Sequence, residues 1–281
     1  MKIKIITNTF QQYHRQNVAV DSWIYLTKLY DNLEVINYQF VDEKHEYEHV
    51  YPSLKTKFCL TKSSKSLIKD CNKKLPCVSE IFENSLSEDC EYFIITNSDV
   101  IIMPSLIKYI IDQEPQAMAC SRLDIEDIKS YDSIIQQQII PVRWEIAGFD
   151  TFIFNKTWAE AHKEKFKTDY FLGKPKYDVV WAGNMKIYGD NTLLGNSYPP
   201  YCFHIHHGNE SAIIDCIEKT YNENQVLVEK HDNLMYNIMS LYLRLHLIKR
   251  TPFGSFINLV DKEKEFEKNF FEILNVNKKY S

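Results

Sequence analysis

The stretch EYFIITNSDVIIMP, residues 91–104, sets Thr96, Asn97, Ser98 and Asp99 between two apolar runs. Small polar groups and a carboxylate in such a place cost burial energy unless something binds them. A carboxylate at a strand end is a hard-cation ligand. Oxygen ligands suit Mg²⁺ or Mn²⁺, and a cation held there would stabilise the negative charge of a departing phosphate. The competing explanation makes Asp99 a turn former, a common role for Asp after a strand. The second chemically loaded stretch is YCFHIHHGNES, residues 201–211, with His204, His206 and His207. On a strand, positions 204 and 206 share a face and 207 points away. Imidazole also binds Mn²⁺. A zinc hydrolase motif of the His-x-His-x-Asp-His kind is excluded, because Gly208 and Asn209 stand where Asp and His would be needed.

These residues need elements to position them. KIKIITNTF reads as a first strand that ends in polar Thr7, Asn8 and Thr9. NVAVDSWIYLTKLYDN has Val18, Trp23, Leu26 and Tyr30 at helical spacing, and LEVINYQF reads as a second strand. Strand, helix, strand with short connections is the unit of a parallel sheet. Residues 41–65 show no period and read as a loop. Helical pattern follows in two pieces broken by Pro76, then the strand carrying Asn97 to Asp99, then PSLIKYIIDQE, a helix with Pro104 in its first turn. QAMACSRLDI and AGFDTFIFNKTW read as strands, TWAEAHKEKF as a short helix, 169–208 as loop-rich, and the chain beyond Ala212 as mostly helical. The expectation is a single α/β domain over residues 1–211, Rossmann-like with a mixed, mostly parallel sheet. A helical C-terminal extension over 212–281 would follow. In open α/β sheets ligands bind beyond the carboxyl ends of the strands, which singles out Thr7-Asn8 and Asn97-Ser98-Asp99.

Composition narrows the classes. The 281 residues are 44% hydrophobic and 25% charged with a formal charge of -5, an ordinary globular balance without the basic surplus of a nucleic-acid-binding protein. The seven cysteines form no CxxC pair, and an odd, scattered set reads as reduced thiols. The N-terminus turns polar too soon for a signal peptide, and no apolar run approaches a membrane span. A soluble cytoplasmic protein is expected. Six of the seven glycines lie between Gly148 and Gly208, which points to working loops in the middle of the chain.

Five blocks in order, NSDVII, SRLD, GFDTFIF, DYFLGKPKYD and FHIHHGNES, together resemble nucleotide-sugar glycosyltransferases of the GT-A type. The resemblance is to a bacterial, viral and plant group with an Asn-Ser-Asp strand end and a late His-x-His block, and it covers about residues 90–211. The chain departs from the group's pattern at Pro175-Lys176-Tyr177-Asp178, where the group has Pro-Gly-x-Asp-Asn and Val179 takes the Asn position. It departs again at Asn97, where a fuller metal motif has Asp.

The resemblance implies a GT-A domain that moves a hexosyl or pentosyl group from a nucleotide-diphospho-sugar, such as a UDP-sugar, to a glycan or other hydroxyl acceptor, with inversion. It implies Mn²⁺ or Mg²⁺ on Asp99, His204 and His206. Thr7, Asn8, Asn97, Ser98 and Arg122 would bind the donor. Asp178 would be the general base that takes the acceptor proton, with Asp150 in reserve or on the sugar hydroxyls. Tyr177, Trp181 and Trp158 could stack on the sugar, although lone aromatics are more often core, and Lys73 and Lys74 could contact phosphate, although a solvated helix face is the commoner role for such a pair. A sugar nucleotidyltransferase is the runner-up enzyme, disfavoured by the glycine-free segment after the first strand. A non-catalytic nucleotide- or glycan-binding protein is the alternative of another class. The amphipathic C-terminal helices suggest packing, a homodimer or peripheral membrane contact.

Overall fold

The computed structural model describes residues 1–9, 14–44, 51–67, 74–136, 139–145, 149–167, 170–172, 177–188, 192–195 and 201–206. The strands are β1 (Ile3–Thr7), β2 (Leu33–Phe40), β3 (Lys55–Leu60), β4 (Tyr92–Thr96), β5 (Val100–Ile102), β6 (Ala117–Cys120), β7 (Arg122–Ile125), β8 (Pro141–Glu145), β9 (Thr151–Asn155), β10 (Thr192–Gly195) and β11 (Cys202–Ile205). The helices are α1 (His14–Leu29), α2 (Ser64–Leu67), α3 (Val78–Leu86), α4 (Pro104–Gln113), α5 (Asp132–Ile135), α6 (Lys156–Ala161) and α7 (Tyr177–Tyr188).

A seven-stranded sheet runs in the order β10-β6-β9-β4-β1-β2-β3, and a four-stranded sheet in the order β5-β11-β7-β8. In the large sheet β9 alone is antiparallel to its neighbours, β4 and β6. The α/β reading with a mixed, mostly parallel sheet therefore holds. Both faces of the large sheet are covered, so β1 and β4 are continuous apolar runs rather than alternating ones. One face, with Ile6, Ile36, Phe93, Phe152 and Phe154, packs under α3 and α7. The other, with Ile5, Val35, Ile94 and Ile153, packs under α1, α4 and the smaller sheet.

Two expectations are corrected. Residues 55–60, read as loop, form edge strand β3 beside β2. Residues 177–188, read as loop-rich, form α7. That helix buries Tyr177, Val179, Val180, Trp181, Ala182 and Met185, so it is apolar nearly all round and lacks an amphipathic period to read. Residues 207–281, including His207 and the anticipated helical extension with its boundary, lie outside the described residues. No helix among the described residues is long and apolar enough to cross a membrane.

The order β3-β2-β1-β4 means that the chain leaves β1 toward one edge and returns to β1's other side with β4. That reversal is a topological switch point, and its crevice lies beyond the carboxyl ends of β1 and β4. Ile6 is level with Ile95, so Thr7-Asn8 and Asn97-Ser98-Asp99 emerge side by side.

A buried ionic network ties the first three strands to the α3–β4 connection. Glu88 accepts from Lys4 Nζ at 2.9 Å, from Tyr38 Oη at 2.8 Å and from Lys57 Nζ. Burial alone would raise the Glu88 pKa, but the hydrogen bonds from Lys4, Lys57 and Tyr38 win and hold it down at about 2 against the usual 4.5. A depressed carboxylate stabilises the fold above its unfolded pKa, and that contribution is lost as pH falls toward the folded value. Glu88→Gln is therefore expected to cost on the order of 3 kcal/mol at neutral pH, with the gap to wild type closing as pH falls toward about 2. Urea unfolding at pH 7 and at acid pH reads this directly, and equal midpoints at pH 7 would show that the network is not stabilising.

Candidate active site

The turn after β4 is closed by Val100 N donating to Asn97 O at 3.4 Å, and it lifts Asp99 out of the sheet into the start of β5. β5 pairs antiparallel with β11, where Val100 lies opposite His204, and β11 pairs parallel with β7, where His204 lies opposite Asp124. The smaller sheet thus sets Asp99, His204 and Asp124 in a row. His204 Nδ1 is 3.0 Å from Asp124 Oδ1, and its Nε2 is 3.4 Å from Asp99 Oδ2. Asp124 also meets His206, whose Nδ1 lies 3.6 Å from its Oδ2. Burial works against charge on His204, but hydrogen bonds to Asp124 and Asp99 outweigh it and raise the imidazole pKa above 6.5. A cation at Nε2 would stand where that nitrogen's proton stands, so protons and metal compete there.

Arg122 joins this row to the large sheet. Its Nε donates to Asp124 Oδ1 at 3.0 Å, and its Nη1 to Asp150 Oδ2. Burial disfavours the guanidinium charge, but Asp150 and Asp124 hold it on and push its pKa up. Asp150 sits at the head of β9, and its other oxygen accepts from Asn97 Nδ2. Asn97 N in turn donates to Asp150 O at 3.1 Å. Tyr177, at the start of α7, donates to Asn97 Oδ1 at 3.3 Å. Burial raises the pKa of that phenol, as do the fields of Asp150, Asp178 and Asp99, while Arg122 opposes them. Asp178, the residue after Tyr177, lies in the first turn of α7 and accepts from Phe149 N at 3.2 Å.

The structure brings together Asp99, Asn97, Arg122, Asp150, Asp178, His204 and His206. Thr7 and Asn8 are buried at the neighbouring strand end. The Asn8 amide donates to Tyr38 O at 2.7 Å, and Thr7 Oγ1 has no hydrogen-bond partner among the described residues. Ser98 is buried within the turn. Of the two roles open to the aromatics, the structure gives them the core one. Trp181 and Tyr177 are fully buried and Trp158 nearly so, packed edge-on and stacked among Phe82, Phe152, Phe154 and Phe166. They fix α7 against the sheet instead of offering a ring to a sugar. Lys74 pairs with Asp42 at 2.7 Å and Glu43 at 3.0 Å, so its charge is used locally. Lys73 lies outside the described residues. Arg122 turns its donors on two protein carboxylates, a bridging role the sequence did not suggest. Asp124 is a site residue that the sequence reading misses; the available signal is that Arg122 and Asp124, two apart on one strand, share a face.

Among the described residues no group of three or more His, Cys, Asp and Glu side chains is arranged to hold a metal ion by itself. A divalent cation that takes its remaining ligands from phosphate oxygens and water needs only one or two protein ligands. Asp99 and His204, converging from adjacent strands, meet that requirement in donor type.

No family model matches the chain, and no curated protein matches it in sequence. Among solved structures it is similar to TarS of S. aureus, residues 1-349 in complex with UDP-GlcNAc, at 10% identity and a TM-score of 0.48, covering 89% of this chain and 74% of that one. It is also similar to glucosyl-3-phosphoglycerate synthase from Mycobacterium tuberculosis in complex with Mn²⁺, UDP-glucose and phosphoglyceric acid, at 10% identity and a TM-score of 0.44, covering 81% of this chain and 79% of that one. Values this low describe a likeness of shape and transfer no activity between chains.

Proposed function

We propose that the chain is a metal-dependent GT-A-type glycosyltransferase that moves a sugar from a nucleotide-diphospho-sugar, a UDP-sugar by preference, to a hydroxyl acceptor with inversion. The observation that carries this reading is the convergence of the Asp99 carboxylate and His204 Nε2, 3.4 Å apart, at the switch-point crevice. Asp99 and His204 would hold Mn²⁺ or Mg²⁺, with His206 beside them. The cation, when bound, supplies positive charge that stabilises the leaving diphosphate. Thr7, Asn8, Asn97 and Ser98, at the two neighbouring strand ends, would bind the donor, and Arg122 holds the carboxylates around it. In a single displacement the acceptor oxygen bonds to the anomeric carbon as the bond to the diphosphate oxygen breaks. The acceptor proton passes to the Asp178 carboxylate. Asp178 suits that role because the N-terminal end of a helix favours negative charge. Asp150 is less suited, because both of its oxygens already accept hydrogen bonds.

Thermal-shift screening of nucleotide sugars with and without Mn²⁺ tests the reading. A ligand at 100 times its Kd stabilises the fold by about 2.7 kcal/mol. One nucleotide sugar is expected to raise the Tm, and more so with Mn²⁺. Stabilisation without subsequent hydrolysis or transfer would mark a binding protein instead, and a panel with no shift at all would overturn both.

A further inference from the structure

We infer that Asp124 is the positioning residue of this site: locked by Arg122, its carboxylate faces Nδ1 of both His204 and His206 and so leaves both Nε2 atoms for a ligand, that of His204 already turned onto Asp99. The inference rests on the reading of Asp99 and His204 as cation ligands and deepens it. Asp124 is almost fully buried, on β7 between β11, which carries His204, and β8. It receives Arg122 Nε and His204 Nδ1 on Oδ1, each at 3.0 Å, and has His206 Nδ1 3.6 Å from Oδ2. A carboxylate only accepts hydrogen bonds. Of the two His204 nitrogens Nδ1 lies nearer its carboxylate, 3.0 Å from Asp124 against 3.4 Å from Nε2 to Asp99, so in the neutral ring the hydrogen belongs on Nδ1 and the lone pair on Nε2; Asp124 Oδ2 favours the same tautomer in His206. A carboxylate behind an imidazole in this way fixes the tautomer, aims the ring and makes it a better ligand. The charge balance fits: one guanidinium sits between Asp124 and Asp150, so neither carboxylate is buried without a partner.

The test uses the full chain, metal-free, with ¹⁵N-labelled histidine, at a pH above the titration of both rings. Wild type is expected to show the Nδ1–H tautomer at His204 and His206. In Asp124→Asn the carbonyl oxygen stays with Arg122 and His204, and the NH₂ group, in the place of Oδ2, turns toward His206, which must then accept on Nδ1 and carry its hydrogen on Nε2. Mn²⁺ affinity, read by electron paramagnetic resonance on the metal alone, is expected to fall about 10- to 100-fold. An Nε2–H tautomer at His204 in wild type overturns the inference without any variant. Unchanged tautomers in Asp124→Asn overturn it, as does a flipped tautomer with unchanged Mn²⁺ affinity. Wild type that shows both expected tautomers yet binds no Mn²⁺ would overturn the proposed cation site and leave the orienting role of Asp124 supported.

Discussion

Asp178→Asn is expected to lower turnover by about 10²- to 10⁴-fold, the usual cost of losing a general base, while donor affinity barely changes. Asp178 is half-buried in the first turn of α7, beside Tyr177, and accepts from Phe149 N. The amide of Asn keeps the shape and an acceptor for Phe149 N, so the helix start should survive and the loss should fall on the rate. Asp150→Asn is a different experiment. It strips one partner from Arg122 and loosens the junction of the two sheets, so it should lower thermal stability as well as activity. Steady-state kinetics on both variants separates the roles. Near-normal turnover in Asp178→Asn with collapse in Asp150→Asn would move the base to Asp150. A product that retains the donor's anomeric configuration would remove the need for any such base.

The second large effect is on binding. Asp99→Asn should remove the Mn²⁺-dependent part of nucleoside diphosphate binding, a loss above the roughly 10- to 100-fold that follows from disturbing a group that merely orients a ligand. The turn that carries Asp99 is closed by the backbone of Asn97 and Val100, so the substitution leaves its geometry intact. Calorimetry with nucleoside diphosphate, with and without Mn²⁺, measures the difference. Equal metal-dependent affinity in the variant and wild type would mean that Asp99 only forms the turn.

How much of this was legible in the sequence depended on where each element sits. β1, β2 and β4 could be read because a strand buried on both faces is a continuous apolar run. α4 could be read because Pro104 opens it and Leu106, Ile107 and Ile110 make one buried stripe. β3 could not, because an edge strand that is partly or fully exposed from Lys55 to Cys59 has little apolar pattern. α7 could not, because a helix buried nearly all round loses its period.

The same division runs through the site. The sequence alone determined the residue types at the strand ends: Thr7-Asn8, Asn97 to Asp99, Asp150 and the His-x-His pair. Which of them meet was decided by tertiary structure. Asp124 and His204 are 80 residues apart, and nothing local couples them. They face each other only because β11 inserts between β5 and β7, with His204 opposite Val100 on one side and Asp124 on the other. Arg122, too, became a bridge only when the two sheets came together and gave it Asp150 as well as Asp124. Local sequence fixes which groups a strand end can present, because side-chain direction follows from backbone period. The partner of each group is set by strand order and register, which arise from burying the sheets against one another and have no local signature.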